Sequence, residues 1–98
     1  MGKKNSLKEV VCFGQKIKIK YEDLQDTLSC GLYHYDIKEI SIHKDLNDKD
    51  RAHTIVHEMV HAFFDRTGLN QTTIPFDLQE ILCENLATFF LENFDFDI

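Results

Sequence analysis

The chain predicts an α+β domain, a small antiparallel or mixed sheet of three to four strands covered by two helices. Three observations carry this. Apolar residues alternate with polar ones in short runs up to about residue 43. From Asn47 the period changes to that of a helix and stays so nearly to the end. No repeat, low-complexity run or linker divides the 98 residues, enough for one domain (1–98) and not two.

The elements follow in order. Residues 1–8 are basic and expected to fray. "EVVCFGQKIKIKYE" reads as two strands around a turn near Gly14. In the second, Lys16, Lys18 and Lys20 alternate with Ile17, Ile19 and Tyr21, so the lysines share one face and the apolar residues the other. That lysine row suits a solvated face and the protection of a sheet edge. Asp23 to Ser29 is polar and turn-rich. "GLYHYD" and "EISIHK" then form a hairpin turning at Asp36–Lys38. Leu32, His34 and Asp36 share one face, Tyr33 and Tyr35 the other, and Ile40 and Ile42 fall together on one face of the last strand.

Asn47 is suited to cap a helix over about 47–67, with Asp48 and Asp50 in the first turn and Gly68 as its stop. Ala52, Ile55, Val56, Met59, Ala62 and Phe63 make its apolar stripe. After the connector "NQTTIP", a second helix is expected over about 77–93 with Leu78, Leu82, Leu86 and Phe89 as its stripe. The tail "FDFDI" is short, acidic and aromatic.

Composition narrows the function. The net charge of −6 argues against electrostatic binding of nucleic acid. Residues 1–44 carry eight lysines and six acids, whereas residues 45–98 carry three basic residues and eleven acids. Cys12, Cys30 and Cys83 are odd in number and widely spaced, so they predict free thiols in a reducing, cytoplasmic compartment. No apolar run approaches membrane-spanning length, and "MGKKNSLKEV" lacks the apolar core of a signal peptide. Gly2 and Ser6 fit the short myristoylation pattern, beside the simpler reading of a basic N-terminus.

The chemistry lies in "HTIVHEMVHAFF". His57 and His61 are four positions apart, about 40° and one turn on a helix, so both imidazoles face one point. Two histidines so placed can chelate one tetrahedral zinc. Glu58 lies about 60° round from His61, where its carboxylate can reach a water on the metal without becoming a ligand. This is the HExxH pattern, read here as "HEMVH". Its chance occurrence in a chain of this length and composition is about two in a hundred. The histidines also project away from the Ile55, Met59 and Ala62 stripe. His53 shares their face one turn earlier, too far along the axis to be a third ligand, and is read as a flanking residue.

A catalytic zinc asks for three protein ligands and an open position. Metzincins supply a third histidine in the continuation "xxGxxH". Here "AFFDRT" follows and excludes that class. In "DLQEILCENLATFF", Glu80 and Glu84 lie one turn apart, opposite the leucines. They resemble the acidic pair of gluzincins, in which a downstream glutamate completes the zinc site and an acid four positions later steadies a histidine ligand. The resemblance favours Glu80 as third ligand with Glu84 behind it, the reverse remaining open. Glu80 also fits a capping box with Asp77. Cys83 has ligand spacing, but a small buried thiol is the preferred reading.

Taken together, "GLYHYDIKEISI", "HEMVHAFF" and "EILCENLA" resemble the small prophage-associated zinc metallopeptidases related to the ImmA/IrrE family and SprT-like domains, over roughly residues 10–92. The resemblance implies a minimal zincin-like fold with a strand edge beside the active helix that can hold extended peptide. It implies one zinc on His57, His61 and Glu80, with Glu58 activating water. It also implies a protein or peptide substrate, such as a repressor or other regulatory protein. Val60 and Phe63 depart from the small residues common around the second histidine. Tyr33, His34, Tyr35 and His43 have the right chemistry to donate to an oxyanion, and none is singled out. The competing expectation is a non-catalytic zinc-binding protein that docks to a regulatory or host protein.

Overall fold

The computed structural model describes residues 7–24, 30–69 and 73–96. The myristoylation pattern at Gly2–Ser6, most of the turn-rich stretch before Ser29 and half of the "NQTTIP" connector lie outside the described residues. Four strands and two helices follow one another: β1 (Glu9–Cys12), β2 (Gln15–Glu22), β3 (Gly31–His34), β4 (Glu39–His43), α1 (Asp48–Thr67) and α2 (Phe76–Asn93). The protein is α+β, as its patterning predicts.

The sheet is mixed, in the order β1-β2-β4-β3. β1 and β2 form an antiparallel hairpin closed by Phe13 and Gly14, both at positive φ (52° and 81°), as a two-residue primed turn requires. Leu7 and Lys8 are tied down rather than frayed: Tyr21 donates its hydroxyl to the Leu7 carbonyl at 2.6 Å, and Ile19 N–H donates to Lys8 O at 2.8 Å. β3 and β4 form the second hairpin. β4 then inserts beside β2 in parallel, which leaves β1 and β3 at the edges.

Ile17, Ile19, Ile40 and Ile42 are buried on one face of the sheet, and Lys16, Lys18 and Lys20 are exposed on the other. The lysines do not guard an edge, because β2 is an inner strand. They form a solvated face, with Lys20 paired to Glu39 on β4 at 3.2 Å.

α1 begins and ends where its signals lie. Asn47 accepts from Asp50 N–H at 2.8 Å, and Gly68 adopts φ 81° while donating to Asp65 O. Ile55 and Ala62 join the isoleucines of the sheet in one core. Val60 and Phe64 face the other way, into a second core with Cys83, Leu82 and Leu86 of α2. The two helices therefore do not lie side by side on the sheet. α1 covers the sheet, and α2 packs chiefly on α1.

This layering explains two departures from the expected stripes. Phe63 is exposed at the side of α1, its ring 5.9 Å from Phe13, whereas Val60 and Phe64 are buried. On α2 the buried line is Gln79, Cys83 and Ala87, with Leu82 and Leu86 flanking it and Leu78 and Phe89 exposed. A helix covered on two sides buries more of its circumference than one stripe, and a helix on the outer layer needs less.

β3 runs close to α1. A Cβ on Gly31 would lie 2.6 Å from Thr54 Cγ2, so only glycine lets the strand approach this far. Among the described residues, no helix is long and apolar enough to cross a membrane.

Candidate metal centre

The second core ends in a cleft of about 1160 Å³ between β3, α1 and α2. His57, Glu58, His61, Glu80 and Glu84 all line it. Stacking α2 on the histidine face of α1 brings them together, a face that the sequence pattern marks only as opposite the apolar stripe.

The two glutamates of α2 meet different atoms. Glu80 Oε1 lies 3.2 Å from His57 Nε2, and Glu80 Oε2 lies 2.8 Å from His61 Nε2. Glu84 Oε1 is 3.1 Å from His57 Nδ1, on the other side of the same ring. Glu84 Oε2 also lies 3.5 Å from His53 Nε2, which is 3.1 Å from Thr88 Oγ1. His53 is thus a flanking residue, as its position along the helix predicts. The alternative reading of Glu80, a capping box with Asp77, does not form: Pro75 caps α2 without a side-chain hydrogen bond, and Glu80 turns to the imidazoles.

His57, His61 and Cys83 each place one donor atom within 4.8 Å of the other two, and this group can hold a metal ion. Glu80 adds a carboxylate in contact with both Nε2 atoms. Donors sharing one tetrahedral ion at 2.0–2.1 Å lie about 3.3 Å apart; the 3.2 Å from Glu80 Oε1 to His57 Nε2 is near that spacing, whereas the 2.8 Å from Oε2 to His61 Nε2 is a hydrogen-bonding distance. Imidazole, carboxylate and thiol are together the ligand types that zinc favours.

Glu58 is 6% exposed. Burial, reinforced by the charge of Glu80, pushes its pKa up to about 8, against the opposing effect of a hydrogen bond from the Tyr33 backbone N–H. Burial also lowers the pKa of His61, which favours the neutral imidazole that a metal needs. Cys83 is fully buried, and burial together with Glu80, Glu58 and Glu84 pushes its thiol up to about 12.

Tyr33 links the edge strand to this machinery. Its backbone N–H holds Glu58, and its hydroxyl donates to Asp65 Oδ2 at 2.7 Å. Lys38, held at φ 56° in the hairpin turn, reaches the same oxygen at 2.7 Å. Asp65 continues the series 57, 61, 65 along α1, the one hint of its role in the sequence. Of the other candidate oxyanion donors, Tyr35 lines the cleft. His34 bonds to Ser41, which in turn donates to Glu22, and His43 accepts from Leu24 N–H.

The burial of Glu58 has a thermodynamic consequence. In the metal-free protein its folded-state pKa of about 8 stands above its ordinary value of 4.5. Its contribution to stability is therefore fully present below pH 4.5 and is lost as pH rises through about 8. His61, lowered by burial, contributes the opposite slope. The stability difference between Glu58→Gln and the wild-type apoprotein isolates the glutamate. It should shift toward the variant by a few kcal/mol over that pH range, at about 1.4 kcal/mol per unit. Denaturant melts at several pH values measure it, and a pH-independent difference would contradict the burial effect.

Comparison of the chain with protein-family models, with curated proteins and with solved structures gives no match.

Proposed function

We propose that the chain is a zinc-dependent metallopeptidase with a zincin-like arrangement, in which His57, His61 and Glu80 hold the metal and Glu58 is the general base. The observation that carries this reading is the meeting of Glu80 with both Nε2 atoms beside the buried carboxylate of Glu58. Bound zinc would supply Lewis acidity toward a scissile carbonyl and toward water. Glu84, on His57 Nδ1, orients that ring and favours the tautomer whose Nε2 is free to ligate. Glu58 accepts the proton of the attacking water and returns it to the leaving amine. Its raised pKa suits a group that must both take and give a proton near neutrality.

The substrate is a protein or peptide in extended form. β3 is an edge strand, and Gly31, Leu32, Tyr33 and Tyr35 border the cleft, so a peptide can add to the sheet alongside the metal residues. The Asp65–Tyr33–Lys38 contacts hold that strand against α1.

A centre closed by four protein donors would serve a non-catalytic docking protein instead, and Cys83 is the observation on that side. The experiment is metal analysis of untagged protein with an assay on unfolded protein substrates. One zinc per chain is expected, with cleavage that a chelator stops and added zinc restores. A ratio well below one, not restored by zinc, overturns both readings. Full occupancy without cleavage leaves the docking protein.

A further inference from the structure

The expected ligands of α2 are carboxylates, yet the donor nearest the helix–helix core is a thiol. Cys83 follows Glu80 by three positions, so the two side chains leave α2 on one face, toward the same pair of imidazoles. Glu80 approaches from the solvent side and is 41% exposed. Cys83 approaches from beneath, fully buried beside Val60 and Phe64. A nitrogen and a sulfur sharing one tetrahedral ion lie about 3.6 Å apart, given ligand lengths of about 2.05 and 2.3 Å. The donor atoms of His57, His61 and Cys83 are within 4.8 Å of one another, so about one ångström of adjustment closes the group. Cys12 is not among these donors, and Cys30 borders the cleft outside the group.

Resting on the reading that these histidines bind zinc, we infer that Cys83 is a fourth protein ligand, which closes the centre in its resting state and regulates access to it. Ligation transfers the thiol proton to solvent and forms one metal–sulfur bond. Opening breaks that bond, returns a proton to the sulfur and leaves one coordination position for water. The same four residues thus give a closed site, with His57, His61, Glu80 and Cys83 all ligating, or an open one from which the thiol has withdrawn. The thiolate also makes the centre softer than two imidazoles and a carboxylate alone, and biases it toward zinc over the harder divalent ions.

The test is spectroscopic and uses the full chain. Cobalt(II) replaces zinc, and its visible bands report ligand geometry, whereas a near-ultraviolet thiolate-to-metal charge-transfer band reports sulfur. The band should be present in the wild type and in the Cys12→Ser/Cys30→Ser double variant. It should be lost in Cys83→Ala, with the visible bands retained. X-ray absorption at the zinc edge of the wild type, which depends on no variant, should show one sulfur at about 2.3 Å. A wild-type centre with nitrogen and oxygen alone overturns the inference while the metal site stands. A band that survives Cys83→Ala overturns it equally. Failure of cobalt and zinc to bind overturns the inference and the metal reading together.

Discussion

Glu58→Gln should lower peptide cleavage by about 10²–10⁴-fold, the range that a positioned general base contributes, and leave one zinc per chain. The side chain is nearly isosteric and keeps its contact with the Tyr33 N–H, so β3 stays in place. What it loses is the capacity to take a proton from water. Glu58 touches neither imidazole among the ion pairs of the centre, and the amide should leave the ligands undisturbed. Single-turnover assays at matched zinc occupancy measure the effect. A variant that still cuts at the wild-type rate would falsify the mechanism. One that loses zinc would make Glu58 a ligand instead.

The second large effect is on stability. The candidate ligands join α1 to α2, and the interface between these helices is one small core around Val60, Phe64 and Cys83. A metal bound across it stabilises the folded state by mass action, by about 4 kcal/mol at a free concentration a thousand times the dissociation constant. For a domain of this size, each kcal/mol moves the unfolding midpoint by about 4–8 °C. Zinc should therefore raise the midpoint by roughly 15 °C or more, and His61→Ala should abolish the shift. Glu84→Gln should keep roughly one third to two thirds of it, because loss of an orienting carboxylate weakens metal binding by about 10–100-fold. An undiminished shift in His61→Ala, read by calorimetry with and without zinc, would place the ion elsewhere.

Much of the fold is legible from local rules. The alternation of Lys16, Ile17, Lys18 and Ile19 defines a strand with one wet face, and Gly14 marks its turn. Asn47 and Gly68 delimit α1 to within a residue. The apolar stripes are only half legible. The choice of Phe63 over Phe64 fails because α1 is buried on two sides, and that follows from where α2 lies. The leucine stripe of α2 is rotated from the face that is buried, Gln79, Cys83 and Ala87. Nothing local announces that this outer helix leaves Leu78 and Phe89 in solvent.

The candidate centre divides in the same way. By itself the sequence determines that His57 and His61 share a direction and that Glu58 stands beside them, because one helical turn dictates both. It also places Glu80 and Glu84 on one face of another helix. Only the tertiary structure decides that Glu80 meets both Nε2 atoms, that Glu84 meets His57 Nδ1, and that Cys83 lies beneath the pair. It alone buries Glu58 and places Tyr33 on it. The reason is physical: helical periodicity is set by the backbone within a few residues, whereas the rotation of α2 about α1 is set by Val60 and Phe64 packing against Cys83, Leu82 and Leu86, contacts between segments far apart in the chain.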